Sequence, residues 1–182
     1  MNLVKNRALK QLLWVGIGSI SMFFAGLTSA FIVRKAEGNW TEFLLPSWFW
    51  YSTITIVISS LLLIFALQKI KKDKSSFSLV ISVLFLGLLF SFFQLNGWQS
   101  LTQKGVYLTG AGSNVAGSFL YILTLSHLVH LLGGLIALLV TSINIKRGKY
   151  SSQSYLGVEL TCIYWHFLSI LWIYLFVFLK YL

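Results

Sequence analysis

The sequence predicts an all-α fold: a polytopic membrane helical bundle of five transmembrane helices, forming one membrane domain over residues 1–182. Three observations predict it. Of the 182 residues, 57% are hydrophobic and only 10% charged, and the mean hydropathy is +0.82. A water-facing surface takes about 25% charged residues, so this chain cannot cover one. Next, the charges break the chain into uncharged stretches long enough to cross a bilayer, which needs about 20 apolar residues. Finally, aromatic residues make up 16%, with 7 Trp and 1 Pro. That composition suits helices anchored by aromatic belts at the membrane interfaces.

The first element follows Lys5, Arg7 and Lys10. A basic start before an apolar run resembles a secretory leader. However, the uncharged run Gln11–Val33 is about twice as long as a leader's apolar core, and no A-x-A site follows. It reads as a retained span over about 12–34. The second span, about 48–69, begins just after Pro46, a residue tolerated in the first turn of a helix. The preceding Asn39–Pro46 then forms an external loop, with Trp40 and Trp48 at the interface. The third span runs over about 77–98. The uncharged stretch Gly105–Ile145 is too long for one helix. Its beginning, Val106–Asn114, is rich in Gly and polar residues and reads as loop, so the fourth span covers about 115–144. The fifth covers about 157–180.

The loops predict an orientation. The N-terminal tail, the second loop (Lys69, Lys71, Lys72, Lys74) and the fourth loop (Lys146, Arg147, Lys149) carry ten of the basic residues. Arg34, Lys35, Lys104 and Lys180 are the four on the other side. The positive-inside bias then puts the N-terminus inside and the C-terminus outside. It also accounts for the net charge of +10 without any nucleic acid. No basic helix with interleaved aromatics marks a soluble nucleic-acid face.

Other function classes are excluded by motif. A single cysteine, Cys162, allows neither an internal disulfide nor a CxxC metal or redox motif. No nucleophile elbow and no phosphate loop is present, and Gly110-Ala111-Gly112 is too short for dinucleotide binding. Neither an internal repeat nor a pair of broken spans suggests a symmetric carrier. Small residues spaced four apart mark expected helix contacts: Gly26 with Ala30, Gly87 with Ser91, and Gly133 with Ala137.

Polar groups within a membrane-length apolar segment are expensive, so they are the candidate site. The last span holds Glu159, Cys162, Tyr164, Trp165 and His166. Glu159 and His166, seven residues apart, share a helix face about 10 Å apart. His127 and His130 share a face of the fourth span. A simple packing scheme sets His127, His130 and Gly134 against Glu159 and His166. Three chemistries fit these residues. His127 and His166 could be axial haem ligands of a membrane cytochrome. Glu159 and the histidines could form a proton path; a small transporter is a separate rival. Or all could be interhelical hydrogen-bonding groups, Glu159 meeting a basic loop or a neighbouring subunit. Gln94 and Asn96, late in span three, read as amides bonding across helices.

The residues also carry a resemblance. The ending Tyr164-Trp165-His166-Phe167, continued through Trp172, closely resembles the Y-W-H-F signature of the cytochrome c oxidase subunit III family. Gly157-Val158-Glu159 resembles its G-x-E, and His127 to His130 with Gly133 resembles its H-x-x-H motif. Trp40, Leu45-Pro46, Ser52-Thr53 and Ser59-Ser60 resemble its pattern around the second span, and Met22–Val33 its first core span. The resemblance implies the short five-helix form of a non-catalytic subunit of a bacterial haem–copper terminal oxidase, in the bacterial plasma (inner) membrane. Such a complex takes electrons from cytochrome c to oxygen and translocates protons. No catalytic residue and no metal ligand is expected on this chain. Haem and copper belong to partner subunits; subunit I packs directly against it, subunit II belongs to the same complex, and other respiratory complexes are further partners. Stability, lipid retention and proton or oxygen access are the expected contributions, with structural phospholipids bound. A quinol oxidase subunit III and the related nitric oxide reductase-associated subunit are the alternatives within the resemblance.

Under it, His127, His130, Glu159, Tyr164, Trp165 and His166 become interhelical or subunit contacts, and Lys146 and Arg147 lipid-headgroup contacts at the inner surface. Two positions depart from the pattern. Gly97 stands where the family has an intramembrane Glu, and Ser169 where it has an Asp. Roles of those carboxylates do not transfer to this chain.

Overall fold

The computed structural model describes residues 2–38, 40, 44–110 and 113–181. Within the sequence's loop assignments, Asn39, Thr41–Phe43, Ala111 and Gly112 lie outside the described residues. Five helices follow in order: α1 Asn2–Ala36, α2 Trp48–Lys71, α3 Phe77–Gln103, α4 Val115–Lys146 and α5 Leu156–Tyr181. All five are long and apolar enough to cross a membrane. In hydrocarbon each backbone N–H and C=O needs an internal partner, and a helix supplies it within its own segment.

The ends differ from the sequence reading where composition is a poor guide. α1 begins ten residues earlier than expected, because the basic tail continues the helix and Lys10 finds a partner on α5. α3 runs five residues further, to Gln103, since Leu101 is fully buried and holds the last turn. α2, α3 and α4 close alike. The residue after the C-cap is left-handed, and the next N–H returns to the carbonyl five residues back: Lys74 to Lys69, Val106 to Leu101, Lys149 to Asn144. Gly105 and Gly148 supply that conformation at no steric cost, whereas α2 uses Asp73 at φ 53°. Asn114 caps α4, its side chain accepting from the Gly117 N–H at 2.6 Å.

α2, α3, α4 and α5 form a closed ring, each touching the next and α2 closing on α5. α1 stands outside it, against α4 and α5. The ring encloses one apolar core containing Phe49, Ile56, Phe90, Leu131, Trp165 and Trp172. A second, smaller cluster joins Phe24 and Phe31 of α1 to Leu123, Leu171, Leu175 and Phe178. α5 is therefore shared by both. Side chains such as Met22, Phe65, Phe85, Leu95, Ile136 and Ile170 face outward, as a lipid-facing surface requires.

The three lysine-rich segments gather at one end. Lys10 reaches Glu159 at the start of α5, the Asp73 carboxylate accepts the Ser152 N–H at 2.7 Å, and Lys71 lies 5.3 Å over the Tyr155 ring. At the opposite end Lys180 lies 4.5 Å over the Trp50 ring.

One of the three small-residue pairs is not a helix contact. Gly26 and Ala30 are exposed, and a side chain at Gly26 would meet nothing within 4 Å. Gly133 is exposed but lies beside α5, where a Cβ would stand 3.6 Å from Tyr164 Oη; the closer approach is at its neighbour Gly134. A spacing of four marks a helix face without saying whether lipid or protein covers it. Gly87 is a true contact, as described next.

Candidate functional site

Trp165 is the centre of the ring. Its indole is fully buried between α3 and α4, on glycines of both. A Cβ on Gly87 would stand 2.7 Å from Trp165 Cη2, and one on Gly134 would stand 3.1 Å from its Cε3. The indole N–H donates to Ser59 Oγ of α2 at 3.0 Å. One side chain thus ties α5 to the three other helices of the ring.

Seven residues later Trp172 repeats the arrangement. It donates to Thr53 Oγ1 of α2 at 3.0 Å and meets Phe90 edge-on at a centroid distance of 5.0 Å. Hydroxyls on α2 therefore match tryptophans on α5. Ser52 accepts from the Gln94 amide of α3 at 2.9 Å, and Ser60 Oγ bonds Nδ1 of His166. This hydroxyl seam was readable in advance, because Ser52-Thr53 and Ser59-Ser60 lie seven residues apart, as do Trp165 and Trp172. Sequence reasoning named the hydroxyl pairs only within the family resemblance and passed over Trp172 as a contact.

The three histidines have different surroundings. His127 is fully buried against Phe90 and Trp172, and neither ring nitrogen has a hydrogen-bond partner among the described residues. His130 turns toward α1. Its ring lies 5.7 Å from that of Phe24, and its Nδ1 bonds the Ser126 carbonyl of its own helix. His166 faces α2 through Ser60, with Nε2 3.2 Å from Cys162 Sγ one turn back. The expected packing of the two histidine faces on each other is replaced by this divergence. His127 and His130 are three residues apart, so their side chains differ by about 60° around the helix; that separates the ring interior from the α1 seam. Among the described residues no group of three or more His, Cys, Asp or Glu could hold a metal ion.

The other candidates fall into place by contact. Tyr164 donates to the His130 carbonyl of α4 at 3.1 Å. Glu159 is paired with Lys10 of α1 at 2.7 Å, a partner the sequence reading had not named. Gly97 carries the ring of Phe49: a Cβ there would lie 2.8 Å from Phe49 Cε2, so the position of the missing carboxylate is filled by an aromatic of α2. Ser169 is buried and returns its hydroxyl to the Trp165 carbonyl at 2.9 Å. Of the two amides, Gln94 bonds across to α2, while Asn96 donates to Phe92 of its own helix. Trp98 supplies the link that Asn96 does not, donating to Thr124 of α4 at 3.0 Å. Lys146 and Arg147 are exposed at the lysine-rich end.

The arrangement is one of interhelical bonds and close-packed aromatics. Within the ring, its polar groups converge on neighbouring helices.

A family model described as Cytochrome c oxidase subunit III matches residues 44–182, which takes in α2 to α5. Full-length comparison extends the likeness to α1. A protein of Thermostichus vulcanus named cytochrome c oxidase subunit 3 is 28% identical over 176 residues, covering 87% of this chain and 79% of that protein. One from Nocardia farcinica, named as a probable cytochrome c oxidase subunit 3, is 30% identical over 172 residues, covering 89% and 82%. One of the same name from Mycobacterium tuberculosis is 30% identical over 175 residues, with 89% and 82% covered.

Proposed function

This chain belongs to the cytochrome c oxidase subunit III family, and from that premise we propose that it is the non-catalytic subunit III of a bacterial aerobic terminal oxidase. The observation that carries the reading is the family match over the four ring helices, the part of the chain built around Trp165. The complex would pass electrons from cytochrome c to oxygen and move protons, with haem and copper held by its other subunits. The names of the relatives favour cytochrome c over quinol as the donor. The polar groups of this chain act in packing: Trp165, Trp172, Tyr164 and His166 tie helices together, which supports a role in the durability of the assembly.

In this proposal the lysine-rich end faces the bacterial cytoplasm, following the positive-inside bias. The N-terminus is then inside and the C-terminus outside. Subunit I packs directly against the bundle and subunit II completes the complex. Lys146 and Arg147, exposed at the inner surface, meet lipid phosphates.

The test is purification of the native complex through a tag on this chain. A much larger haem-bearing subunit should co-purify in stoichiometric amount, and oxygen consumption should depend on reduced cytochrome c. A chain that purifies alone from mildly solubilised membranes would overturn the reading. So would a Soret band of the isolated chain that disappears in His166→Ala.

A further inference from the structure

We infer that the interior of the ring binds one ordered water molecule, held between the imidazole of His127 on α4 and the side-chain amide oxygen of Gln94 on α3. The site goes beyond the oxidase assignment and does not depend on it.

Three unpartnered atoms carry the inference. His127 is fully buried, and both of its ring nitrogens lack a hydrogen-bond partner among the described residues. Gln94 is 1% exposed, and its Oε1 lacks a partner as well. Unbonded polar groups are costly in an apolar interior, so native proteins satisfy nearly all of them with protein atoms or ordered water.

The two side chains stand at one level. Trp98 donates to Thr124 at 3.0 Å, the Phe90 ring lies 5.8 Å from that of His127, and a Cβ on Gly87 would stand 2.7 Å from Leu135 Cδ2. Residue numbers fall along α3 as they rise along α4, so the two helices are antiparallel. From Trp98 back to Gln94 the rise is about 6 Å, and from Thr124 on to His127 it is about 4.5 Å. Starting from the bonded pair, both steps lead the same way, to nearly the same height.

The contacts around this level close a circuit. Gln94 Nε2 donates to Ser52 Oγ of α2 at 2.9 Å, and the Ser52 hydroxyl donates to the Phe49 carbonyl at 2.9 Å. The Phe49 ring stacks on Trp172 of α5 at 6.1 Å, and Trp172 lies 5.2 Å from His127. Phe90, one turn before Gln94, closes the circuit against His127. None of these six residues is more than 1% exposed. The circuit also fixes the amide. The Ser52 hydrogen is spent on Phe49, so Ser52 accepts from Gln94, and the amide turns its nitrogen to α2 and leaves its oxygen for the interior.

The chemistry of the three atoms selects the ligand. A neutral imidazole offers one N–H donor and one acceptor nitrogen, whereas Oε1 only accepts. Water serves both side chains: it accepts the imidazole N–H and gives a hydrogen to Oε1. Those are two of the two to four bonds that a buried water makes. A cation does not fit, because the buried polar residues among those described include no carboxylate to compensate it. An apolar guest would leave all three atoms as they are. The bridge would join α3 to α4 one turn away from the Trp98–Thr124 bond.

The experiment is a cryo-electron microscopy map of the tagged native complex, at a resolution that shows ordered waters, with melting curves of variants in the same detergent. The map should show a peak about 2.5–3.2 Å from Gln94 Oε1 and from one ring nitrogen of His127. His127→Phe and Gln94→Met each leave the water with one partner, so each should lower the melting temperature. The double variant should fall by clearly less than the sum of the two, since both single changes break the same bridge. A map with His127 bonded directly to Gln94, or with no peak between them, overturns the site. Losses that add in full in the double variant overturn it too. Where a variant does not assemble, the map of the parent decides alone. Co-purification of the large haem-bearing subunit in the same samples reports separately on the oxidase assignment.

Discussion

The ring of α2 to α5 and the seam between α1 and α5 are built from similar residues but held in different ways. In the ring, Trp165, Trp172, Gln94 and Trp98 each donate a side-chain hydrogen bond to a hydroxyl on another helix. Glycines let the backbones of α3 and α4 close on Trp165. At the seam, α1 offers glycines that touch nothing. It is held by aromatic edges such as Phe31 on Phe178, by the Tyr174–Thr28 bond, and by one ion pair. Lipid tails are as apolar as leucine, so hydrophobicity does not choose between protein and lipid as a neighbour. Close packing and interhelical hydrogen bonds do choose. The ring has both in quantity, and the seam has few of either. That difference makes the ring the more tightly held part and the seam the looser one.

The comparison can be broken most directly at Trp165. Trp165→Ala removes the indole that joins all four ring helices and should cost about 3–5 kcal/mol, the range for a buried large aromatic. The purified complex should show a large fall in melting temperature or lose this subunit. A variant as stable as the parent would mean that the ring is not organised around this residue.

Next in size is Gly97→Glu, which restores the carboxylate found in the family pattern. Because Phe49 occupies that space, the change should destabilise by about 1–3 kcal/mol, the cost of overpacking a close contact. Thermal unfolding in detergent measures it. A stable protein with a titrating carboxyl at that position would show that Phe49 moves aside readily.

The seam should respond far less. Glu159→Gln breaks the pair with Lys10, whose side chains are 39% and 26% exposed. Partly exposed pairs are screened and contribute at most about 1 kcal/mol. Initial oxygen turnover should stay near the parent's, while subunit III dissociates faster during turnover or at high salt. A large loss of initial rate with assembly intact would instead make Glu159 a proton-carrying group.

The smallest effect is expected at the lysine-rich end. Ser152, through its hydroxyl and its backbone N–H, holds the Asp73 carboxyl below the usual carboxylate range. A depressed folded-state value contributes stability above the unfolded value, lost as pH falls through the folded one. The melting temperature of the parent should therefore fall more steeply than that of Asp73→Asn below about pH 4. Parallel curves would show that the contact adds nothing. Asn tolerates the left-handed backbone at this position, so the comparison isolates the charge.

Much of the fold was legible because the signals are local. Charged residues interrupt apolar runs, so the number of helices and most of their ends can be read along the chain. The misjudged ends, at α1 and α3, are those where a contact with another helix extends the element, through Lys10 and Leu101. The candidate site was legible as a set of residues but not as an arrangement. His127 and His130 read as one face, yet one ring faces the ring interior and the other faces α1. Gly26 with Ala30 read as a contact and is lipid-exposed, while Gly134, not Gly133, carries Trp165. The matched spacing of the α2 hydroxyls and the α5 tryptophans was present in the sequence and could have identified the central contact.

The sequence by itself determined that five apolar helices cross a membrane, where their loops carry charge, and which family they resemble, since each depends on the order and spacing of residues along one chain. The tertiary structure alone decided which face of each helix meets protein and which meets lipid. Both neighbours are equally apolar, so hydropathy carries no information about the choice. It is made by the fit of Trp165 onto Gly87 and Gly134 and by the hydroxyl of Ser59 standing where the indole N–H points.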